Sequence, residues 1–178
     1  MHTLEVRNLC KSFAELKAVR DVSFTVQPGE IFGLIGRNGA GKTTTIRMIM
    51  NVYGPDSGSI LSRGAQVGAD FRRLVSYLPE ERGLYKKMKV IDLLRFFLEI
   101  RGIEPDSVRP RMESYLERFS LGDRQSTKIE DLSKGNQQKV QFIAAVLSDP
   151  EVLVLAEPFS GLDPVNTALL KDMVLELK

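Results

Sequence analysis

The sequence predicts an α/β fold with N-terminal antiparallel strands, a parallel core sheet and an inserted helical lobe. Apolar and polar residues alternate at 4–7 and 22–26, which is typical of half-buried strands. The continuous apolar run at 31–35 is bounded by glycines and is typical of a strand covered on both faces. Helical apolar spacing follows in the middle of the chain, before strand and helix patterns return.

Composition limits the class of protein. The 178 residues are 43% hydrophobic and 27% charged, an ordinary globular mixture that excludes a disordered or fibrous chain. With 25 Lys and Arg against 23 Asp and Glu, the net charge of +2 gives no indication of nucleic acid binding. Cys10 is the lone cysteine, which excludes a disulfide framework. No apolar run is long enough for a membrane helix, so we expect any membrane role to act through another chain.

The elements follow in order along a single domain, 1–178. A helix is expected from about Lys42 to Met50, and a turn cluster follows it at 53–58. The helical lobe is placed at about 89–121, between core parts 1–88 and 122–178. Its helices are indicated by the apolar stretch 90–100 and by Val108, Met112, Tyr115 and Phe119 at helical spacing.

The last third returns to the α/β pattern. Val140, Ile143, Ala144 and Leu147 mark one face of a helix, and 152–155 is a short buried strand. Asp163 followed by Pro164 predicts the N-cap and first residue of a final helix.

Residues 36–43 form the motif that carries most of the chemistry, G-R-N-G-A-G-K-T. Its glycines let backbone N–H groups point inward at a polyphosphate, while Lys42 supplies a positive charge and the Thr43 hydroxyl can bind Mg²⁺. The alternative is a chance glycine-rich turn. The position between a buried strand and a helix favours the phosphate-binding loop of a P-loop NTPase.

A second segment, 152–157, has the sequence V-L-V-L-A-E and predicts a strand that ends at a carboxylate. Glu157 stands where such ATPases place the residue that activates the attacking water, although a merely solvated acid is the alternative. Ala156 stands where an Asp is expected to hold Mg²⁺, and it offers no oxygen ligand. We therefore expect nucleotide binding to survive and hydrolysis to be impaired.

Residues 132–141, L-S-K-G-N-Q-Q-K-V-Q, resemble the signature of ABC transporter ATP-binding subunits, usually L-S-G-G-Q. The resemblance covers essentially the whole chain. It implies that Ser133 and Gly135 face the γ-phosphate of ATP held by a second subunit. Lys134 and Asn136 depart from the usual signature, and a plain helix start with an N-cap is the alternative.

Three further positions are similar to family positions. Phe13 resembles the aromatic residue that stacks on adenine, with a core aromatic as the alternative. Glu80, in Y-L-P-E-E-R-G-L-Y at 77–85, occupies the place of a Gln near the metal and the attacking water. Asp163, in S-G-L-D at 160–163, resembles the loop that communicates across the dimer, and it can also cap a helix.

The resemblance thus implies ATP and Mg²⁺ as cofactors, with Glu157 and Glu80 as catalytic residues and Thr43 and Glu80 as metal ligands. The implied nucleotide-binding residues are Phe13, Gly36, Asn38, Gly39, Ala40, Gly41, Lys42, Thr43, Thr44, Ser133, Gly135, Asn136 and Asp163.

Several segments, such as L-P-E-E-R-G-L-Y, have sequences similar to those of the exporter branch that includes bacterial sodium and drug efflux systems. That branch implies a membrane-spanning permease partner, a second ATP-binding subunit and a place on the inner face of the cell membrane. The lobe and 81–85 would contact the permease, with exposed apolar side chains at Leu84, Tyr85, Leu93 or Phe97.

The family also has a switch histidine on a strand beyond the final helix, whereas the one histidine here, His2, receives no role. We therefore expect an incomplete chain, with a gap in the core sheet. Two alternatives stay open. One is a soluble ABC-type ATPase acting on nucleic acid, ribosomes or cluster assembly, and the charge balance gives no sign of nucleic acid binding. The other is a non-catalytic nucleotide binder, which Ala156 favours.

Overall fold

A computed structural model describes residues 3–68, 70–81 and 83–178. His2, and Arg82 of the expected permease-facing segment, lie outside the described residues. The chain divides into two compact units, Met1–Val75 with Lys178 and Ser76–Leu177. The architecture is mixed α/β with antiparallel and parallel sheets, which confirms the predicted fold class.

The N-terminal unit is built on a four-stranded antiparallel sheet in the order β2-β1-β3-β4. Its strands are β1 (Leu4–Phe13), β2 (Leu16–Val26), β3 (Ser57–Ser62) and β4 (Ala65–Gln66). The two-residue period of a half-buried strand buries Leu4 and Val6, and a register shift between Val6 and Leu9 brings Leu9 into the core as well. The predicted N-terminal strands are confirmed, and both are longer than the alternation indicated. The unit also contains the helices α1 (Lys42–Ile49) and α2 (Phe71–Leu74).

The strand expected at 31–35 is not present among the described residues. The segment has no strand assignment, and Ile31, Phe32 and Ile35 are 53%, 41% and 94% exposed. Phe32 stacks on Phe24 of β2 with ring centroids 4.7 Å apart. The prediction was wrong because an apolar run becomes a strand only when neighbouring strands accept its backbone hydrogen bonds.

A two-stranded parallel sheet pairs β5 (Val75–Leu78), which begins at the last residue of the first unit's main segment, with β6 (Val152–Leu155) of the C-terminal unit. The helices of that unit are α3 (Val90–Glu99), α4 (Arg109–Arg118), α5 (Lys134–Val146) and α6 (Pro164–Glu176). Short 3₁₀ turns lie at Pro105–Val108, Gly122–Arg124 and Ile129–Asp131. The predicted helices are all present. The separate lobe at 89–121 stays a prediction.

The core of this unit forms where α3 and α4 pack against α5. Leu93, Leu116 and Phe142 are completely buried there. Of the four positions at which an exposed apolar side chain was expected, Leu93 is therefore excluded, because it lies on the face of α3 that belongs to this core. Within the described part of the chain, no helix is long and apolar enough to span a membrane.

Candidate nucleotide-binding site

The glycine-rich loop of the N-terminal unit leads directly into α1. Gly41 is the residue before the first turn and has φ +86°, a left-handed conformation that glycine adopts at little cost. Lys42 begins the helix, and its ammonium group donates hydrogen bonds to the carbonyl oxygens of Gly36 (2.6 Å) and Arg37 (3.0 Å). The side chain thus folds back over its own loop, where a phosphate could replace the carbonyl partners.

Gly41 also fixes this loop against the sheet. A Cβ atom at Gly41 would lie 2.3 Å from the carbonyl oxygen of Ala18 in β2, so no larger residue fits without movement. Gly39 has a similar φ of +80°, but a Cβ there would meet nothing within 4 Å. The loop is therefore packed closely against β2 at Gly41, whereas a side chain at Gly39 would meet no neighbouring atoms.

The remaining loop residues suit a polyphosphate bound with Mg²⁺. Asn38, Gly39 and Ala40 are exposed, and the Ala40 N–H donates to the carbonyl oxygen of Arg37 at 3.1 Å. Thr43 is exposed in the first turn of α1, where the helix end carries partial positive charge, and Thr44 follows it half-buried. This set, with two threonine hydroxyl groups and one ammonium group, fits a nucleoside triphosphate and its metal.

Phe13 lies at the end of β1 with 45% of its surface exposed. A core aromatic, the alternative left open by the sequence, would be buried, and the structure therefore excludes it. The ring contacts Tyr53, with centroids 5.6 Å apart and planes at 88°. The sequence did not indicate this contact, because Tyr53 lies 40 residues away in what was predicted only as a turn cluster.

In the C-terminal unit, the signature residues occupy the start of α5. Ser133 is the N-cap, and its hydroxyl accepts a hydrogen bond from the backbone N–H of Asn136 at 3.2 Å. Gly135 packs against the 160–163 loop, since a Cβ at Gly135 would lie 3.3 Å from the carbonyl oxygen of Gly161. The structure thus brings the signature and the S-G-L-D loop into contact.

Two glutamines of α5 hold the loops that carry the candidate catalytic carboxylates. The Gln138 side-chain amide donates to the carbonyl oxygen of Pro158, next to Glu157, at 3.1 Å. The Gln141 amide donates to the carbonyl oxygen of Pro79, next to Glu80, at 3.3 Å. No sequence pattern indicated a role for either glutamine. Their burial, at 3% and 6% exposed, shows that they act inside the unit rather than at its surface.

The two carboxylates themselves are exposed at the ends of neighbouring strands. Glu80 follows β5, and Glu157 follows β6 with φ +50°, a conformation that is uncommon for a residue with a side chain. Ala156 is half-buried and its N–H donates to the carbonyl oxygen of Leu78 at 2.9 Å. The methyl group of Ala156 provides no metal ligand at this strand end.

Asp163 is the N-cap of α6, as the sequence predicted. One carboxylate oxygen accepts from the backbone N–H of Asn166 at 2.9 Å, and the other accepts from the Asn166 side-chain amide. These hydrogen bonds, the backbone one first, hold the pKa of Asp163 below its ordinary value. A structural role for Asp163 is thus established, and its role across a dimer stays a prediction.

We expect the fold of the Asp163→Asn variant to lose less stability than the wild type as pH falls. Because the pKa of Asp163 is lowered in the folded chain, its stabilisation is complete above the ordinary pKa and is lost as pH falls through the lowered value. Asn caps helices about as well as Asp, so the melting temperature at neutral pH should hardly change, whereas Asp163→Ala should lower it. Thermal melts from neutral pH to about pH 2 test this. An unchanged acid profile in Asp163→Asn would contradict it.

The predicted site residues thus fall into two sets. The N-terminal unit holds Phe13 and the 36–44 loop, and the C-terminal unit gathers Glu80, Ser133, Gly135, Asn136, Glu157 and Asp163 around α5 or the ends of β5 and β6.

Comparison with known proteins places this chain among ATP-binding subunits. The ABC transporter family matches residues 19–160. The uncharacterized ABC transporter ATP-binding protein YhaQ of Bacillus subtilis is 48% identical over 175 residues, 98% of this chain and 59% of that protein. The lipopolysaccharide export system ATP-binding protein LptB of Haemophilus influenzae is 33% identical over 184 residues, 100% of this chain and 76% of that protein.

The fold agrees with these relatives. A solved structure of an ATP-binding subunit of an ABC transporter superimposes with a TM-score of 0.91 at 34% identity, covering 98% of this chain and 74% of that one. The chain spans about three fifths of the length of YhaQ. With the family match over residues 19–160 and a fold that superimposes on a solved ATP-binding subunit, the chain belongs to the ATP-binding domains of the ABC transporter family.

Proposed function

We propose that this chain binds ATP as the ATP-binding part of an ABC transporter. Hydrolysis of this ATP drives export through a separate membrane-spanning permease. The observation that carries the proposal is the loop at 36–43, which enters α1 with Lys42 folded over it. The proposed adenine contact is Phe13, because its ring is exposed at the end of β1 and offers an apolar face.

For the metal, we propose Thr43 as the ligand of the loop and Glu80 as a second ligand, with Glu157 activating the attacking water. The exposure of all three side chains supports this assignment. Mg²⁺, when bound, supplies positive charge that stabilises the transferring phosphate. The signature residues Ser133, Gly135 and Asn136 are proposed to contact ATP held by a second ATP-binding subunit.

A second candidate function, a nucleotide binder without efficient turnover, is favoured by Ala156. Its half-buried methyl group lies at the strand end where P-loop ATPases place a metal-holding Asp. This candidate keeps ATP binding and loses hydrolysis, so the two proposals differ in turnover alone.

The proposed permease contact is an aromatic cluster on the C-terminal unit, made of Tyr85, Phe96 and Phe97. Tyr85 is 54% exposed and meets Phe96 edge-on with centroids 5.3 Å apart, and Phe97 lies beside both rings. Leu84 is partly buried against the hydrophobic core of the C-terminal unit. An apolar surface of this kind suits a protein partner, and we place the assembly at the inner face of the cell membrane.

We expect Mg-ATP to raise the melting temperature of the chain. Ligand at about 100 times its dissociation constant adds about 2.7 kcal/mol to the free energy of unfolding of a folded binder. Mg-AMP serves as the ligand control, because it lacks the phosphates that the loop would hold. Lys42→Ala should remove the ATP effect without lowering the unliganded melt. A cooperative melt that Mg-ATP does not move would contradict the proposal.

A further inference from the structure

The exposed ring of Phe13 is held from one side by Tyr53. The two rings meet edge to face, with centroids 5.6 Å apart and planes at 88°. Tyr53 is half-buried in the turn between α1 and β3, whereas Phe13 keeps 45% of its surface exposed. The contact therefore restricts the orientation of the Phe13 ring and still leaves ring surface accessible.

An ion pair fastens the Tyr53 turn to the end of β1. Asp56, three residues after Tyr53, bonds the ammonium group of Lys11 at 2.7 Å and the backbone N–H of Ser12 at 2.7 Å. The backbone N–H of Asp56 in turn donates to the carbonyl oxygen of Cys10 at 2.9 Å. Since Lys11 and Ser12 immediately precede Phe13, these three bonds set the position of the turn relative to the ring.

Lys11 also contacts the aromatic pair directly. Its Nζ lies 5.7 Å from the centroid of Phe13 and 5.7 Å from that of Tyr53, within the range of a cation–π interaction. The hydrogen bonds from Lys11 and Ser12 hold the pKa of Asp56 below its ordinary value, so the ion pair persists at neutral pH. The ring pair, Lys11 and Asp56 together form what we call the aromatic corner.

The aromatic corner is connected to the phosphate loop through α1. The helix begins at the loop, where Gly41 packs on the Ala18 carbonyl of β2, and its other end leads into the Tyr53 turn. The β1–β2 hairpin therefore contacts the segment that contains α1 at both ends. A ring placed by such a two-point attachment keeps a defined position relative to the loop.

We propose that Tyr53 is a positioning residue for the base of the bound nucleotide, because it holds the Phe13 ring ready to stack. This inference rests on the proposed binding of ATP and on Phe13 as its base contact. Pre-organisation raises affinity because the ring need not be ordered when the ligand binds. Stacking is tolerant of base identity, so the corner should favour ATP and GTP equally over a ligand without a base.

The test measures affinities of the 178-residue chain for Mg-ATP and for Mg-tripolyphosphate, which lacks the base. We expect Tyr53→Leu to weaken ATP binding about three- to tenfold and to leave tripolyphosphate binding unchanged. Tyr53→Phe keeps the ring and should restore ATP affinity. Val52→Leu, at the exposed neighbouring position, is the matched control.

A double-mutant cycle separates positioning from a general structural role. In a Phe13→Leu background, Tyr53→Leu should have no further effect on ATP affinity, since the ring that it positions is absent. Equal weakening of ATP and tripolyphosphate, or additive effects of the two substitutions, would overturn the inference. If Tyr53→Leu lacks a cooperative melt, Tyr53→Met replaces it with the same expectations.

Ligand binding by the wild-type chain distinguishes failure of the proposed function from failure of this inference alone. Wild type that binds neither ligand would overturn the proposed function and this inference with it. Wild type that binds both ligands, with no effect of Tyr53→Leu, would leave ATP binding intact and overturn the inference alone.

Discussion

Gly41→Ala is expected to abolish measurable ATP binding. The substitution forces a residue with a side chain into φ +86°, and it places a Cβ atom 2.3 Å from the Ala18 carbonyl oxygen. The left-handed conformation alone costs about 1–2 kcal/mol, and the collision with backbone must in addition displace either the loop or β2. Because Lys42 follows immediately, its ammonium group would leave the loop that it now covers. Isothermal titration with Mg-ATP measures the loss.

Gly39→Ala is the matched control for this prediction. Gly39 has φ +80°, so it carries the same conformational cost, but its new Cβ would meet nothing within 4 Å. We expect about a tenfold loss of affinity from this strain, well short of that at Gly41. Equal losses at the two glycines would show that conformation alone, and not the contact with β2, limits the loop.

Ala156→Asp is expected to raise ATP turnover about 100-fold at saturating Mg-ATP. Mg²⁺ held beside the transferring phosphate is worth several kcal/mol in the transition state, and the methyl group of Ala156 cannot help to hold it. The backbone of Ala156 is already fixed by its hydrogen bond to Leu78, so the new side chain would extend from an ordered strand end. Phosphate release measures turnover, and Mn²⁺ titration followed by electron paramagnetic resonance measures metal affinity independently.

Two controls make this second prediction specific. Ala156→Asn has nearly the same shape without the charge and should recover much less activity. Adding Glu157→Gln to Ala156→Asp should keep metal binding and remove turnover, because the amide cannot accept the proton of the attacking water. No gain in either turnover or metal affinity with Ala156→Asp would contradict the assignment of position 156.

Local patterns predicted the helices and the phosphate loop well. Lys42 begins α1 as the motif requires, and Ser133 and Asp163 are N-caps because each places an oxygen acceptor before a free backbone N–H. Strands were predicted less well. The segment at 57–62 was assigned partly to a turn cluster, although it pairs with β1 along most of its length. The Ser and Gly residues of β3 lack the apolar alternation that predicts a strand. Its partner, β1, also lies far away in the sequence.

The sequence also did not predict which residues are buried at the surface proposed to contact the permease. Leu93 and Phe97 lie on one apolar helix, yet Leu93 is fully buried and Phe97 joins the Tyr85 cluster at the surface. Apolar spacing shows that a helix has a buried face, but the packing of α5 decides which residues that face contains.

The sequence by itself determined the family and predicted the roles of the 36–43 loop and of Ala156, because each depends on residue types at short, regular spacing. Only the tertiary structure decided that 31–35 is unpaired, that Tyr53 supports Phe13, and that Gln138 and Gln141 hold the carboxylate loops. These two glutamines reach partners 20 and 62 residues away. Such contacts arise from how distant segments pack, and no local pattern of residues specifies them.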